Sequence, residues 1–192
     1  MHRAPHKPGS SLKLGGSIMG MKGREIVERA GVHVEELIQL LNKAYSDEWL
    51  AYYQYWVGAQ VATGPMAADL IPELEEHAQE ELDHAKKLAK RILELGGTPV
   101  LSPEGWYEES TCGYLVPENP DAVKLLKQNL QGERCAIEVY NKILNFVKGK
   151  DMITGNMIRK ILEEEVEHEQ DLENLGFDFL EESFPSCSCG CR

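Results

Sequence analysis

No run of apolar residues in this 192-residue chain approaches the eighteen or so needed to cross a bilayer, so no membrane partner is expected. The opening MHRAPHKPGSSLKLGGSIMG carries basic residues but no continuous apolar stretch. It does not read as a secretory signal, and a cytoplasmic setting is expected. No CxxC pair occurs anywhere among the five cysteines, which removes a rubredoxin-type iron site and most zinc ribbons. Cationic side chains are scarce: 20 Lys and Arg face 32 Asp and Glu, a formal net charge of −12. Such a chain is a poor general binder of nucleic acid. One segment runs the other way: residues 1–24 carry Arg3, Lys7, Lys13, Lys22 and Arg24 and no acidic residue. Residues 1–22 are expected to be a flexible basic tail, the one part of the chain suited to touching DNA phosphate.

Alternation of the kind that marks strands is also lacking, and the apolar residues recur at helical spacing instead. GREIVERA (23–30) suits a short helix. A first long amphipathic segment runs from Val34 to about Ala62, with Leu37, Leu41, Ala44, Tyr45, Tyr52, Tyr55, Ala59 and Ala62 on one side. Thr63-Gly64-Pro65 breaks it. A second covers about 66–95, with Pro72 near its beginning, and stops at Gly96-Gly97. Residues 96–120 contain Pro99, Pro103, Pro117 and Pro120. That connection is too long for a turn between neighbours and long enough to cross the length of a bundle. A third helix is expected from Asp121 to about Val147 and a fourth from about Met152 to Leu175, stopping at Gly176. Residues 177–192 form a tail ending CSCGCR. The fold class is therefore all-α: a ferritin-like four-helix bundle over residues 23–176, with a long crossover between helices two and three.

Glutamates interrupt all four apolar stripes. Glu48 falls between Tyr45 and Tyr52. Glu81 and His84 sit among Leu74, Ala78, Leu88 and Ile92. Glu133 lies between Leu130 and Ile137, and Glu165 and His168 lie between Ile161 and Leu172. A buried carboxylate costs several kcal/mol unless it is paired, protonated or metal-bound. Four of them, one per helix, need a shared compensating charge.

The spacing supplies it. Glu81-Leu-Asp-His84 and Glu165-Val-Glu-His168 are both ExxH, and residues three apart on a helix share a face. Carboxylate and imidazole together suit iron, manganese or zinc better than calcium or magnesium. Two ExxH pairs and a glutamate from each other helix make six ligands for two metals. The halves also match, because Glu48 precedes Glu81 by 33 residues and Glu133 precedes Glu165 by 32. Solvated charged faces would explain the surplus acids Glu73, Glu75, Glu76, Glu80, Glu163, Glu164, Glu167 and Glu169. They would not explain Glu133, which has no acidic neighbour in its turn.

The run Glu48-Trp-Leu-Ala-Tyr-Tyr-Gln54 resembles the first-helix segment of bacterioferritins, and Glu81-Leu-Asp-His84 through Gly96-Gly-Thr-Pro99 resembles their second helix and its exit. Asn129-Leu-Gln-Gly-Glu133 and Glu165-Val-Glu-His168 complete the likeness, which spans about residues 35–175. It implies the ligand set Glu48, Glu81, His84, Glu133, Glu165 and His168, with Glu81 and Glu165 bridging two iron ions. Manganese and zinc are the other candidate occupants. It also implies ferroxidase chemistry and a hollow cage. Met66 is not spaced from these residues like the haem methionine of bacterioferritins, so no haem is expected. The tail after Leu175 offers no clear fifth helix. Both features, with Cys112 in the crossover and Cys135 just after Glu133, resemble the Dps-like (thioferritin) group. That resemblance implies a twelve-subunit homo-oligomer, Fe(II) as substrate with hydrogen peroxide or dioxygen as oxidant, and a redox disulfide between Cys112 and Cys135.

Two rival functions share these residues. One is a discrete dimetal redox enzyme, a manganese catalase or a rubrerythrin-like peroxidase. The other is a DNA-protecting protein of the Dps type acting through its basic tail. Cys187, Cys189 and Cys191 either capture a soft metal or belong to an oxidisable tail. His77 is expected to support the site or face solvent, and His33 to lie on the surface. Tyr52, Tyr55 and Tyr140 are expected to fill the core, with a ligand hydrogen bond as the alternative. Trp49, Trp56 and Trp106 are expected to serve packing or an interface.

Overall fold

The computed structural model describes residues 21–182, with side chains described for 22–176. Residues 1–20 of the expected basic tail and the three terminal cysteines lie outside the described residues; Lys22 and Arg24 belong instead to a helix that begins at Met21, where Lys22 pairs with Glu25 and Arg24 with Glu28 and Glu35. Helices α1 (Met21–Arg29), α2 (Val34–Val61), α3 (Ala67–Glu94), α4 (Pro103–Glu109), α5 (Ala122–Val147) and α6 (Met152–Glu182) follow in order. No helix among the described residues is long and apolar enough to cross a membrane.

α2 and α3 form one antiparallel hairpin and α5 and α6 the other, and the two hairpins pack together as a four-helix bundle. α3 ends in a glycine-dependent turn. Gly96 adopts φ +80°, its amide bonds Leu93 O, and the Gly97 amide bonds Ile92 O at 2.9 Å. A Cβ on Gly97 would stand 2.7 Å from Ile38 Cγ2, so the chain must be bare where it leaves α3 against α2. The crossover then climbs the whole bundle. It finishes beside the far end of α2, where Thr63 exchanges backbone hydrogen bonds with Pro120 and Ala122 at 2.7 and 2.9 Å. Asp121 caps α5 by accepting from the Lys124 amide.

At the opposite end a buried ionic knot joins α3 to α6. Arg91 Nη2 donates to Asp151 Oδ2 at 2.8 Å and Arg91 Nε to Thr154 Oγ1 at 2.8 Å. Asp151 Oδ1 meanwhile accepts from the Ile153 and Thr154 amides at 3.1 Å, capping α6.

Two elements differ from the expectation. The crossover contains α4, begun by Ser102, whose side chain accepts from the Gly105 amide, with Pro103 in the first turn. Seven residues are too few for a visible apolar period. The last helix also passes through Gly176 to Glu182. A glycine costs about 1 kcal/mol inside a helix but ends one only where the backbone turns left-handed. Gly176 has no positive φ and faces Leu126 of α5.

The interior is divided along the bundle axis. One apolar cluster holds Leu37, Leu41, Leu88, Ile92, Tyr140, Ile143, Ile158 and Ile161. The other holds Tyr55, Leu70, Leu74, Leu125, Leu126 and Leu172. Between them every long helix contributes a buried polar residue: Glu48, Glu81 with His84, Glu133, and Glu165 with His168.

Candidate metal centre

The six sequence-selected residues meet in that middle layer, each 2 % exposed or less. They fall into two groups, Glu48–Glu81–His84–Glu165 and Glu81–Glu133–Glu165–His168, with ligand atoms within 4.8 Å of one another in each. Glu81 and Glu165 belong to both groups. His84 Nδ1 stands 3.0 Å from Glu165 Oε1 and 3.3 Å from Glu48 Oε2 and Glu81 Oε2. His168 Nδ1 stands 3.5 Å from Glu133 Oε2, 3.6 Å from Glu81 Oε1 and 3.7 Å from Glu165 Oε2. One ring nitrogen cannot satisfy three carboxylates. Glu48 Oε2, Glu133 Oε2, both Glu165 oxygens and His168 Nδ1 are buried without a hydrogen-bond partner. Orphaned oxygens converging with imidazole nitrogens fit divalent cations of the iron, manganese and zinc kind.

A second layer of contacts aims these groups, and it is reciprocal. His84 on α3 donates from Nε2 to Glu164 Oε2 on α6 at 2.6 Å, and His168 on α6 donates from Nε2 to Glu80 Oε2 on α3 at 2.6 Å. The bond from Nε2 turns Nδ1 of both rings inward, toward the converging carboxylates. Likewise Tyr55 on α2 donates to Glu133 on α5, and Tyr140 on α5 donates to Glu48 on α2. Each tyrosine follows its own helix's glutamate by seven residues, so two turns of helix set both bonds.

The electrostatics follow from crowding acids in a dry layer. Burial, reinforced by the charges of Glu81 and Glu165, pushes Glu48 well above the ordinary carboxylate range. Burial and the same two neighbours raise Glu133, against the pull of His168. Glu81 goes the other way, because the facing imidazoles of His168 and His84 overcome its burial. Burial would lower both imidazoles. The facing carboxylates of Glu165, Glu48 and Glu81 instead raise His84, and those of Glu133, Glu165 and Glu81 raise His168. Burial and the adjacent carboxylates raise Tyr55 and Tyr140, so both stay protonated donors.

The crossover closes the outer side of this layer. Cys112 and Cys135 are joined in a disulfide, which pins the crossover to α5. Behind it lies a cavity of about 170 Å³ lined by the disulfide, Asp47, Gln54, Glu48, Glu81 and Glu133. Asp47 holds the crossover in place: its Oδ1 accepts from the Ser110 hydroxyl at 2.5 Å and from the Thr111 and Cys112 amides at 2.8 Å. Gln54 accepts from the Leu115 amide and donates to Asn129.

The other singled-out residues are also placed. Tyr55 and Tyr140 both fill the core and donate to Glu133 and Glu48, whereas Tyr52 packs against the Tyr55 cluster. Met66 is buried beside Leu70 at the start of α3. His33 is exposed. Trp49 stacks on Trp106 with centroids 4.8 Å apart, and Trp56 is 44 % exposed. His77 is buried and stacks on His168 with centroids 4.0 Å apart. Burial and the neighbouring His168 hold its pKa down to about 3. Sequence reasoning missed Glu80 and Glu164, which it assigned to solvated faces. Each directly precedes an ExxH glutamate, so both half-motifs read EExxH, a repeat within the repeat that would have found them.

A bundle with ExxH pairs on two helices and single inward glutamates on the other two has the layout of the dimetal carboxylate proteins. Residues 38–176 match the ferritin-like domain, and the chain belongs to that iron-storage and Dps family. It is 40% identical over 155 residues to the DNA protection during starvation protein of Pyrococcus furiosus, covering 79% of this chain and 83% of the relative. It is 30% identical over 142 residues to the bacterioferritin of Desulfovibrio desulfuricans, covering 73% and 74%. Among solved structures, the bacterioferritin-related protein of Bacteroides fragilis, a dodecameric thioferritin, superimposes with a TM-score of 0.83 at 49% identity, covering 85% of this chain and 98% of that one. The Dps of Staphylococcus aureus, at 18% identity and a TM-score of 0.70 over 74% of this chain and 95% of that one, shares the fold.

Proposed function

We propose that this chain is a ferroxidase and iron-storage subunit. It takes Fe(II) as substrate at Glu48, Glu81, His84, Glu133, Glu165 and His168, oxidises it with hydrogen peroxide or dioxygen, and stores the ferric product as oxyhydroxide in a cytoplasmic, twelve-subunit cage. The observation that carries this reading is the pair of reciprocal half-sites sharing Glu81 and Glu165. Two Fe(II) ions held side by side supply two electrons together, the number that reduces one peroxide to two waters. The chain's own residues do the rest. Glu81 and Glu165 hold both ions, while Glu48 with His84 and Glu133 with His168 each finish one position. Glu164 and Glu80 keep Nδ1 of each imidazole turned inward. Tyr140 and Tyr55 steady the terminal carboxylates, and the disulfide-pinned crossover covers a cavity of about 170 Å³ beside them.

The cage reading draws on the dodecameric Bacteroides fragilis relative and on the exposed Tyr53, Trp56, Tyr107 and Val116 of α2 and the crossover. The Cys112–Cys135 link is read as redox-active. Non-reducing peptide mapping across a peroxide challenge, with both thiols found free after oxidation, would count against that role.

Retained iron tests the whole proposal. Fe(II) is added anaerobically in excess, peroxide is supplied, the protein is desalted, and iron is counted against protein. Roughly tens of soluble irons per chain support a mineral-storing cage. About two or fewer would leave a discrete redox enzyme, with manganese as the next metal to examine.

A further inference from the structure

One turn beyond the buried centre the same two helices repeat its chemistry. On α3 the residues four and eight before Glu81 are His77 and Glu73, and on α6 the residue three after His168 is Asp171. These spacings keep all three on the helix faces that carry the centre. Glu73, His77 and Asp171 each offer a ligand atom within 4.8 Å of the others. His77 Nε2 lies 3.2 Å from Glu73 Oε1. The ring is 2 % exposed, and its Nδ1 is buried with no hydrogen-bond partner. Among the described residues no lysine or arginine pairs with Glu73 or Asp171. The ring's face rests on His168, a residue of the centre itself. Exposure is graded along this line. Asp171 is open to solvent, Glu73 is part-buried, and His77 is buried.

We propose that Glu73, His77 and Asp171 form a third divalent-cation site, weaker than the buried pair, at which a metal ion pauses between the exposed α3/α6 face and the dimetal centre. Two carboxylates balance a divalent charge, and the imidazole selects for iron, manganese or zinc over magnesium and calcium. Partial exposure leaves coordination positions to water. An ion held there is less tightly bound than one among four buried carboxylates, as a transfer position requires. The geometry supplies the site on its own; its use as a relay rests on the ferroxidase reading.

The test uses the full-length assembled protein and Zn(II), which binds such donors without redox chemistry. The wild type is expected to take up about three Zn(II) per chain and the Glu73→Gln/Asp171→Asn variant about two. The lost equivalent should be the weakest. Anomalous scattering from Zn-soaked crystals should show a peak among Glu73, His77 and Asp171 that the variant lacks. Both substitutions are isosteric and lie outside the core, so the fold is preserved. A wild-type stoichiometry of about two with no density at the cluster overturns the site. Density in crystals without a third equivalent in solution, or a third equivalent unchanged in the variant, overturns it too. Zinc at the cluster with the buried pair unfilled would instead sustain this site and defeat the ferroxidase reading. For the relay, the variant should oxidise its first two Fe(II) at the wild-type rate and then turn over more slowly; equal later turnover removes the relay and leaves a binding site.

Discussion

His84 on α3 and Glu164 on α6 are 80 residues apart in the chain and 2.6 Å apart in space. The bond aims the imidazole across the helix interface and commits its other nitrogen to the centre. Glu164→Gln keeps the shape but weakens this restraint. Outer contacts of this kind are worth 10–100-fold in metal affinity. A loss of about tenfold is expected by competition against a fluorescent zinc chelator, with helix content unchanged. The mirror substitution Glu80→Gln should act equally through His168, and unequal losses would contradict the reciprocity.

Glu133→Ala removes a proposed ligand carboxylate that has no acidic neighbour in its own turn. Stopped-flow absorbance should lose the fast phase of Fe(II) oxidation, a loss at or beyond the ~100-fold upper end for outer contacts. Size-exclusion elution should stay put. Unchanged oxidation in this variant would remove the proposed centre.

Loading the centre should release protons. Glu48 and Glu133 are raised by burial, while carboxylate hydrogen bonds raise His84 and His168. All four therefore retain protons to higher pH than usual, and a cation must displace them. Affinity for Zn(II) is thus expected to climb with pH through the neutral range. Calorimetry in buffers of different ionisation enthalpy reads the release directly, and a pH-independent affinity would contradict it.

Arg91 and Asp151 are both buried and joined at 2.8 Å. Arg91→Ala strands the carboxylate and should cost about 3 kcal/mol in denaturant melts. Burial alone would raise Asp151, but the Thr154 hydroxyl and amide, then Arg91, bring it below the ordinary range. A depressed carboxyl stabilises above its unfolded value, and that stabilisation fades as pH falls through the folded value. Asp151→Asn should therefore lower stability at neutral pH and flatten the acid side of the stability curve.

The Cys112–Cys135 link closes a loop with a sequence separation of 23. A Cys112→Ser/Cys135→Ser variant should lose roughly 3 kcal/mol of stability by loop entropy. Its crossover amides at Thr111 and Cys112, which hold Asp47, should exchange faster with solvent.

How much of this was legible in the chain depends on contrast. Glu133 stood out because its turn holds no other acid, and the ExxH pairs because they recur at matching offsets. Glu80 and Glu164 sit in runs of glutamate, where one more acid has no contrast, and only the packing of α3 on α6 selects them. His77 carried two readings, support of the site or a surface place, because it lies next to Glu75 and Glu76 on an acidic helix, and its packing on His168 favours the first. Tyr55 and Tyr140 carried two readings, core and ligand partner, and both turned out to hold because a phenol has an apolar body and a polar tip. The crossover's course from Gly96 to Asp121 was predictable from its length. Its anchoring on Asp47 was not, since one aspartate binding three distant donors leaves no periodic trace.

The polar layer that divides the interior has a bearing on how the chain unfolds. Above and below it stand two apolar cores, separated by buried carboxylates and imidazoles. If each opens as its own unit, the coupling between them is set by whatever satisfies that layer. Protons do so weakly and metal ions strongly, so hydrogen exchange should find two units melting apart in the stripped protein and one in the loaded protein. The centre, in that sense, is also the hinge pin of the bundle, and mechanical integrity rises and falls with its charge.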